Sequence, residues 1–443
     1  MRIQLSDHFT YKRLLRFVYP SILMMIFTSI YGVVDGLFVS NFAGKIPFAA
    51  VNLVMPVLTI MATLGFMIGT GGSAVVGITL GERDRDRANR YFSMFIYTLI
   101  GGGIIVTVIC ELLLTQLVGL LGADAAMAPY CILYCRITMI SIPMFMLQVA
   151  FQTFFNTAEK PKLGLFITVA AGLTNMVMDG ILVGIFHWGV AGAAVATVCS
   201  EFIGGGIPLI YFSRKNDSLL RLVPARIEWK ILGRACFNGS SEMMNSISGS
   251  LVTVLYNYQL MRFAGSDGVA AYGAIMYVMF IFLAIFLGFT FGSAPIMSYH
   301  YGAGNKDEMK NLLRIAVRIL SVFAVAMLSL GEISSGLVTR FFVGYDAELY
   351  RMTLHAFRIY SLVFLVSGFN IYASSLFTSL GDGLVSAILS FIRTLVFQVI
   401  CILLLPVLFG LEGIWWASVA AELMAFAVSI YFVIGKRKKY QYM

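Results

Sequence analysis

Apolar runs of about twenty residues, the length a helix needs to cross a bilayer core, recur from one end of this chain to the other. Short polar breaks separate them. Nothing constrains a fold more tightly, because in hydrocarbon every backbone amide must bond within its own helix or within a closed barrel. The runs do not alternate with a period of two, so they do not read as barrel strands. Of the 443 residues 59% are hydrophobic and 12% charged, too few charges to coat a soluble protein of this length. The sequence therefore reads as an all-α membrane protein. The breaks delimit twelve transmembrane helices near 15–40, 48–71, 92–117, 127–154, 162–186, 189–212, 236–262, 269–294, 312–337, 352–377, 384–408 and 412–435. The polar start "MRIQLSDHFTYKR" precedes a run too long for a cleavable leader, so the first helix is expected to stay as a span.

Charge supplies an orientation. Most of the 31 Lys and Arg lie at the N-terminus, in the breaks after helices two, four, six and eight, and in the terminal "KRKK". Basic residues are retained on the cytoplasmic side. Both termini are therefore expected in the cytoplasm of a multi-pass membrane protein with an even number of spans. That bias accounts for the net charge of +9, and no nucleic-acid partner is expected. Six cysteines sit in or beside apolar runs without a His/Cys cluster, and read as core residues rather than disulfides or metal ligands. HExxH, P-loop and GxSxG patterns are missing, so neither an enzyme nor an organic cofactor is expected.

Shifted by 221 residues, the chain partly matches itself. "NFAGKIPFAAV" (41–51) meets "RFAGSDGVAAY" (262–272), Gly71 meets Gly292, Gly81 meets Gly302, and "GVAGAAVATVCSE" (189–201) meets "GLEGIWWASVAAE" (410–422). Each half holds an even number of spans, so both insert in the same sense, related by a pseudo-twofold along the membrane normal. The expected plan is an N-lobe over 1–212, a cytoplasmic linker over 213–235 and a C-lobe over 236–443. Duplicated bundles around a central cleft are a transporter design.

The repeat sorts the intramembrane charges, each of which must find a partner or water. Glu111 and Arg136 recur as Glu332 and Arg358, and at 1.5 Å per residue the members of each pair reach one depth on adjacent helices. Two structural ion pairs are expected, Glu111–Arg136 and Glu332–Arg358. Glu201 and Glu422 also correspond and read as structural. Arg393 has no counterpart and could be neutralised by Glu422 or by Glu242. Asp35 and Asp179 differ, because their counterparts are Tyr256 and Ile400 or Cys401. With Asn175, one turn from Asp179, and with Thr197, they share one band in the outer half of the N-lobe. Two carboxylates together without a cation call for a proton, or for a small cation such as Na⁺ held by these oxygens. The alternative is two separately hydrogen-bonded buried acids.

These residues resemble the multidrug and toxic compound extrusion (MATE) transporters, and within them a bacterial MepA-like branch. The resemblance rests on "VVDGLFVSNFAG", "AAVNLVMP", "GTGGSAVVGITLGERDRDRANRYF", "FFNTAEKPK", "TNMVMDGILVG" and "GVAGAAVAT" in this order, and covers nearly the whole chain. It implies two lobes and antiport of organic cations against H⁺ or Na⁺, with Asp35, Asn175, Asp179 and Thr197 as the cation-coupling set. Acids that some relatives carry on the seventh and tenth helices are matched here by Glu242 and by Asn370, so no second cation site is expected. The expected partners are small organic cations and bilayer lipid, and the chain is expected to act as a monomer. Met55, Met61, Gln148, Gln152, Asn156, Tyr256, Met276 and Tyr277 are the candidate cleft-lining residues. Two other readings compete: a flippase for lipid-linked precursors, which needs a cationic cleft, and a membrane enzyme acting on lipids, which needs catalytic groups at one face.

Overall fold

The computed structural model describes residues 3–443 and is helical almost throughout. Twelve spans follow one another: α1 (Tyr11–Ala43), α2 (Ile46–Gly81), α3 (Arg85–Leu112), α4 (Ala128–Met139 with Ile142–Thr157), α5 (Pro161–Ile185), α6 (Gly189–Ser213), α7 (240–264), α8 (266–302), α9 (Lys306–Val343), α10 (Ala347–Ser361 with Phe364–Ser379), α11 (Gly383–Phe409) and α12 (Leu411–Tyr440). Helices α4 and α10 are bent by 61° and 47° at their breaks, a feature the apolar runs did not reveal. The expected linker is partly helical. Trp229–Asn238 buries Leu232, Ala235 and Asn238, spaced so as to share one face.

The polar breaks work as caps and turns. Asp84 Oδ1 accepts from Arg87 N at 2.9 Å to start α3, and its repeat partner Asn305 caps α9 through Glu308 N at 3.1 Å. Gly44 and Gly265 are also repeat partners. With φ of 100° and 62° they occupy backbone that L side chains rarely adopt, and each ends one span and begins the next.

Two large apolar cores result, with a small third cluster of Met24, Met25, Ala284 and Phe291 between α1 and α8. One gathers Phe92, Phe151, Phe154 and Phe212 from the first half. The other gathers Phe286, Phe289, Tyr360 and Trp415 from the second, together with Leu5, Phe9, Leu14, Phe17 and Val18. The base of α1 thus packs into the second core while its upper half packs on α5.

Contacts between halves repeat about the twofold. A methyl group on Gly81 of α2 would strike the Tyr299 carbonyl of α8, and one on Gly302 of α8 would strike the Ile78 carbonyl of α2. Gly71 meets Gly239, the residue just before α7, and Gly292 meets Val18 of α1. Ser21 Oγ donates to Asn156 Oδ1 at 2.8 Å, and Asn156 Nδ2 donates to the Phe291 carbonyl at 3.2 Å, tying α1, α4 and α8 together. These contacts all lie toward the basic breaks. Nearer the other end Ile46, Ile60 and Phe280 are exposed. The close contacts between the halves gather at the basic end.

Candidate coupling site and cleft

A cavity of about 380 Å³ opens in the first half and reaches Tyr277 of α8. Asp35 enters it from α1, Asn175 from α5 and Thr197 from α6. Asp179, one turn beyond Asn175, is fully buried behind them, within electrostatic reach of Asp35. The four residues grouped from depth and resemblance are thus neighbours. Glu201 joins them, one turn past Thr197 on the same face of α6, and lines the same cavity. So do Tyr31, Tyr134 and Gln148.

Acceptors dominate the cavity. Asn175 Oδ1 is buried without a hydrogen-bond donor, and the Asp35 and Asp179 carboxyl groups face each other with no other hydrogen-bond partner. Among the described residues no Lys or Arg lines the space. Bare buried carboxylate oxygens are costly, so the oxygen set fits a proton or a small hard cation, for which oxygen ligands are the match. Among the described residues, no group of three or more His, Cys, Asp or Glu is close enough to hold a metal ion without other ligands.

The second half answers the same problem internally. Arg393 Nε donates to Glu422 Oε1 at 2.9 Å and to Oε2 at 3.1 Å, so Arg393 goes to Glu422 and not to Glu242. Asn370 Nδ2 adds a bond to Glu422 Oε2 at 2.7 Å. Tyr256 stands where Asp35 stands in the first half, and its hydroxyl lies 3.1 Å from Gln398 Oε1 and 2.8 Å from Ser418 Oγ. It lines a second cavity of about 220 Å³ together with Tyr272, Tyr360 and Met276. Glu242 lines a small hydroxyl-rich pocket with Thr70, Ser73 and Ser298, within electrostatic reach of Arg393 but without an ion pair to it.

The remaining candidates divide. Met55, Gln148 and Tyr277 line the first cavity, and Tyr256 and Met276 the second. Met61, Gln152 and Asn156 line neither, and Asn156 serves the tie between halves. Glu111 and Arg136 are 2.7 Å apart. Glu332 and Arg358 stand at 3.9 Å, with Ser361 Oγ donating to Glu332.

Twelve spans in two equivalent halves, around an acid-lined cavity, define a membrane transporter rather than an enzyme. The MatE family model matches residues 20–181 and 243–404, one copy in each half, and the chain belongs to the MATE family of multidrug transporters. Multidrug export protein MepA of Staphylococcus haemolyticus is 24% identical over 432 residues, covering 97% of this chain and 94% of the relative. A crystal structure of a MATE protein in complex with MaL6 superposes with a TM-score of 0.92 at 21% identity, covering 98% of both chains. An outward-facing multidrug resistance MATE transporter of the MOP superfamily gives 0.90, also at 21% and 98% of both. At these identities the solved structures speak for the fold.

Proposed function

We propose that this protein is a secondary active exporter that antiports amphipathic organic cations against H⁺ or Na⁺. One observation carries the reading: among the described residues, the carboxylates around the first cavity meet no Lys or Arg. The missing positive charge has to come from solution. A proton or Na⁺ held by Asp35, Asn175, Asp179 and Thr197 supplies it, and an organic cation in the cavity competes for the same field. A volume of about 380 Å³ lies in the range of small-molecule sites. The relatives named as multidrug exporters favour such a cargo.

The basic end is placed in the cytoplasm, with both termini, by its Lys and Arg. The basic end, where the close contacts gather, is then the closed end in the outward-facing member of an alternating-access pair, with the opposite opening as its partner. An ion moves that equilibrium only by its differential affinity for the two states. A potential of 100 mV supplies roughly 2.3 kcal/mol per charge moved, about fiftyfold. The flippase reading loses ground, since among the described residues neither cavity has the cationic lining that a pyrophosphate needs and Arg393 is already paired.

The test uses purified protein in liposomes loaded with ethidium, with a pH gradient and a Na⁺ gradient imposed separately. Dye movement driven by one gradient alone names the coupling ion. Folded protein that moves dye under neither gradient sinks the proposal.

A further inference from the structure

At the basic end of the fold, the bases of α1 and α5 enclose a cavity of about 530 Å³ that shares no lining residue with either cleft. Arg16, Lys160 and Lys162 line it, and Phe17, Pro20 and Leu163 form apolar walls. Two charges of the lining are already engaged. Lys160 Nζ lies 2.5 Å from Asp217 Oδ2, and Glu159 Oε1 accepts the Leu5 amide at 2.7 Å. Among the described residues Arg16 and Lys162 have no carboxylate partner. With Lys160 held by Asp217, Arg16 and Lys162 outweigh the Glu159 carboxylate, and the cavity presents a net positive lining to whatever enters it.

What lies above the cations tells a soluble anion from a lipid. Tyr19 follows Arg16 by three residues and Phe166 follows Lys162 by four, so each aromatic ring stands on the same helix face one turn further into the bilayer. Both are open to the surroundings, at 59% and 71% exposure. Cationic groups at the base with apolar surface above them match a phospholipid, whose phosphate sits at the interface and whose chains run along the helices. A free phosphate would use the base and leave the rings idle.

We propose that this groove binds one anionic phospholipid of the cytoplasmic leaflet, with its phosphate on Arg16 and Lys162 and its acyl chains along Tyr19 and Phe166. The proposal takes from the function above only the orientation of the basic end. Such a lipid would bridge α1 and α5, the two helices whose other halves carry Asp35 and Asp179.

Native mass spectrometry of the purified chain, titrated with phosphatidylglycerol, phosphatidylcholine or sn-glycerol 3-phosphate, tests it directly. The expected result is one tightly retained phosphatidylglycerol per chain, held in preference to phosphatidylcholine and not displaced by glycerol phosphate. The pair Arg16→Gln and Lys162→Gln should weaken retention about fivefold per charge removed. Leu163→Trp, which fills the groove but keeps both charges, should weaken it too. The exposed pair Arg214→Gln and Lys215→Gln should not. Equal retention of the two lipids, unchanged retention in the groove variants, or equal loss in the control pair would overturn the proposal. Displacement by glycerol phosphate would replace the lipid with a soluble anion and overturn it as well. Binding is read without transport, so a failure to move dye leaves this result standing.

Discussion

Replacing Arg393 by Met tests whether the second half carries its own counter-charge. The guanidinium and the Glu422 carboxylate are 16% and 7% exposed and 2.9 Å apart. Cutting one member of a buried pair costs about 3–5 kcal/mol, because the other charge is stranded. Asn370 would remain as a donor to Glu422 at 2.7 Å, but a single amide does not neutralise a carboxylate. Removing both charges, with Arg393→Met and Glu422→Gln together, is expected to be close to neutral. The coupling between the two sites should then exceed the loss in either single variant, at about 6 kcal/mol or more. An unfolding entropy of roughly 2 cal/mol/K per residue over 443 residues converts the single loss into a fall of about 3–6 °C in Tm. Buried thiols supply the assay, since Cys131, Cys135 and Cys401 react with a thiol-specific dye only as the protein opens. Single variants that melt within about 1 °C of the parent would refute the reasoning. So would a double variant that melts no higher than the singles.

Asp35→Asn and Asp179→Asn should each abolish gradient-driven dye movement in liposomes while leaving the melting curve near that of the parent; normal transport by both would remove the site assignment. Gly81→Leu should push α2 off the Tyr299 carbonyl, at an overpacking cost of about 1–3 kcal/mol against the packing at the basic end. A cysteine placed at buried Ser298 should then react about ten times faster or more with a maleimide, and an unchanged rate would show that the packing there does not depend on that contact. Asp382, in the turn between α10 and α11, is open to acid. Burial alone would raise its carboxyl, but the Tyr440 hydroxyl at 2.5 Å, the Val385 amide and the nearby Lys439 and Lys436 outweigh it and hold the group below the usual range. A depressed carboxyl stabilises the fold above its ordinary value near 3.8, and that contribution is lost as pH falls through the folded-state value. Protease access to the C-terminal segment should rise below about pH 4 in the parent, whereas Asp382→Asn should show the same access at neutral pH.

The spans were legible because each is an uninterrupted apolar run, and the repeat was legible because turns and close contacts demand small residues at fixed places. Gly44 and Gly265, Gly81 and Gly302 show this, since each pair meets the same backbone requirement twice. Helix length was less legible. Both α2 and α8 run on past their apolar stretches, to Gly81 and Gly302, because the contact between halves continues where lipid ends. Asn156 looked like a cleft residue for its polarity and depth. Its partners Ser21 and the Phe291 carbonyl come from remote parts of the chain, and no periodicity reports them. Glu201 was visible as an acid one turn from Thr197, but its match with Glu422 pointed to a shared structural role.

The divergence of those two glutamates follows from one unmatched position. At the offset that aligns Glu201 with Glu422, Arg393 falls on Gly172. There a Cβ atom would already lie 2.5 Å from Phe27 Cε1 and 3.0 Å from Tyr31 Cδ1. The close approach of α1 to α5 that brings Asp35 toward Asp179 thus leaves no room for a cation borne by the chain. In the second half the equivalent space admits a guanidinium, and Glu422 is neutralised once, in the fold. In the first half the same packing that gathers the acids excludes an internal partner. A duplicated scaffold therefore becomes asymmetric in charge: one lobe carries its own counter-charge, and the other leaves its acids without one among the described residues. On the proposed function, that asymmetry lets an ion or a cationic cargo act on one lobe while the other serves as a fixed frame.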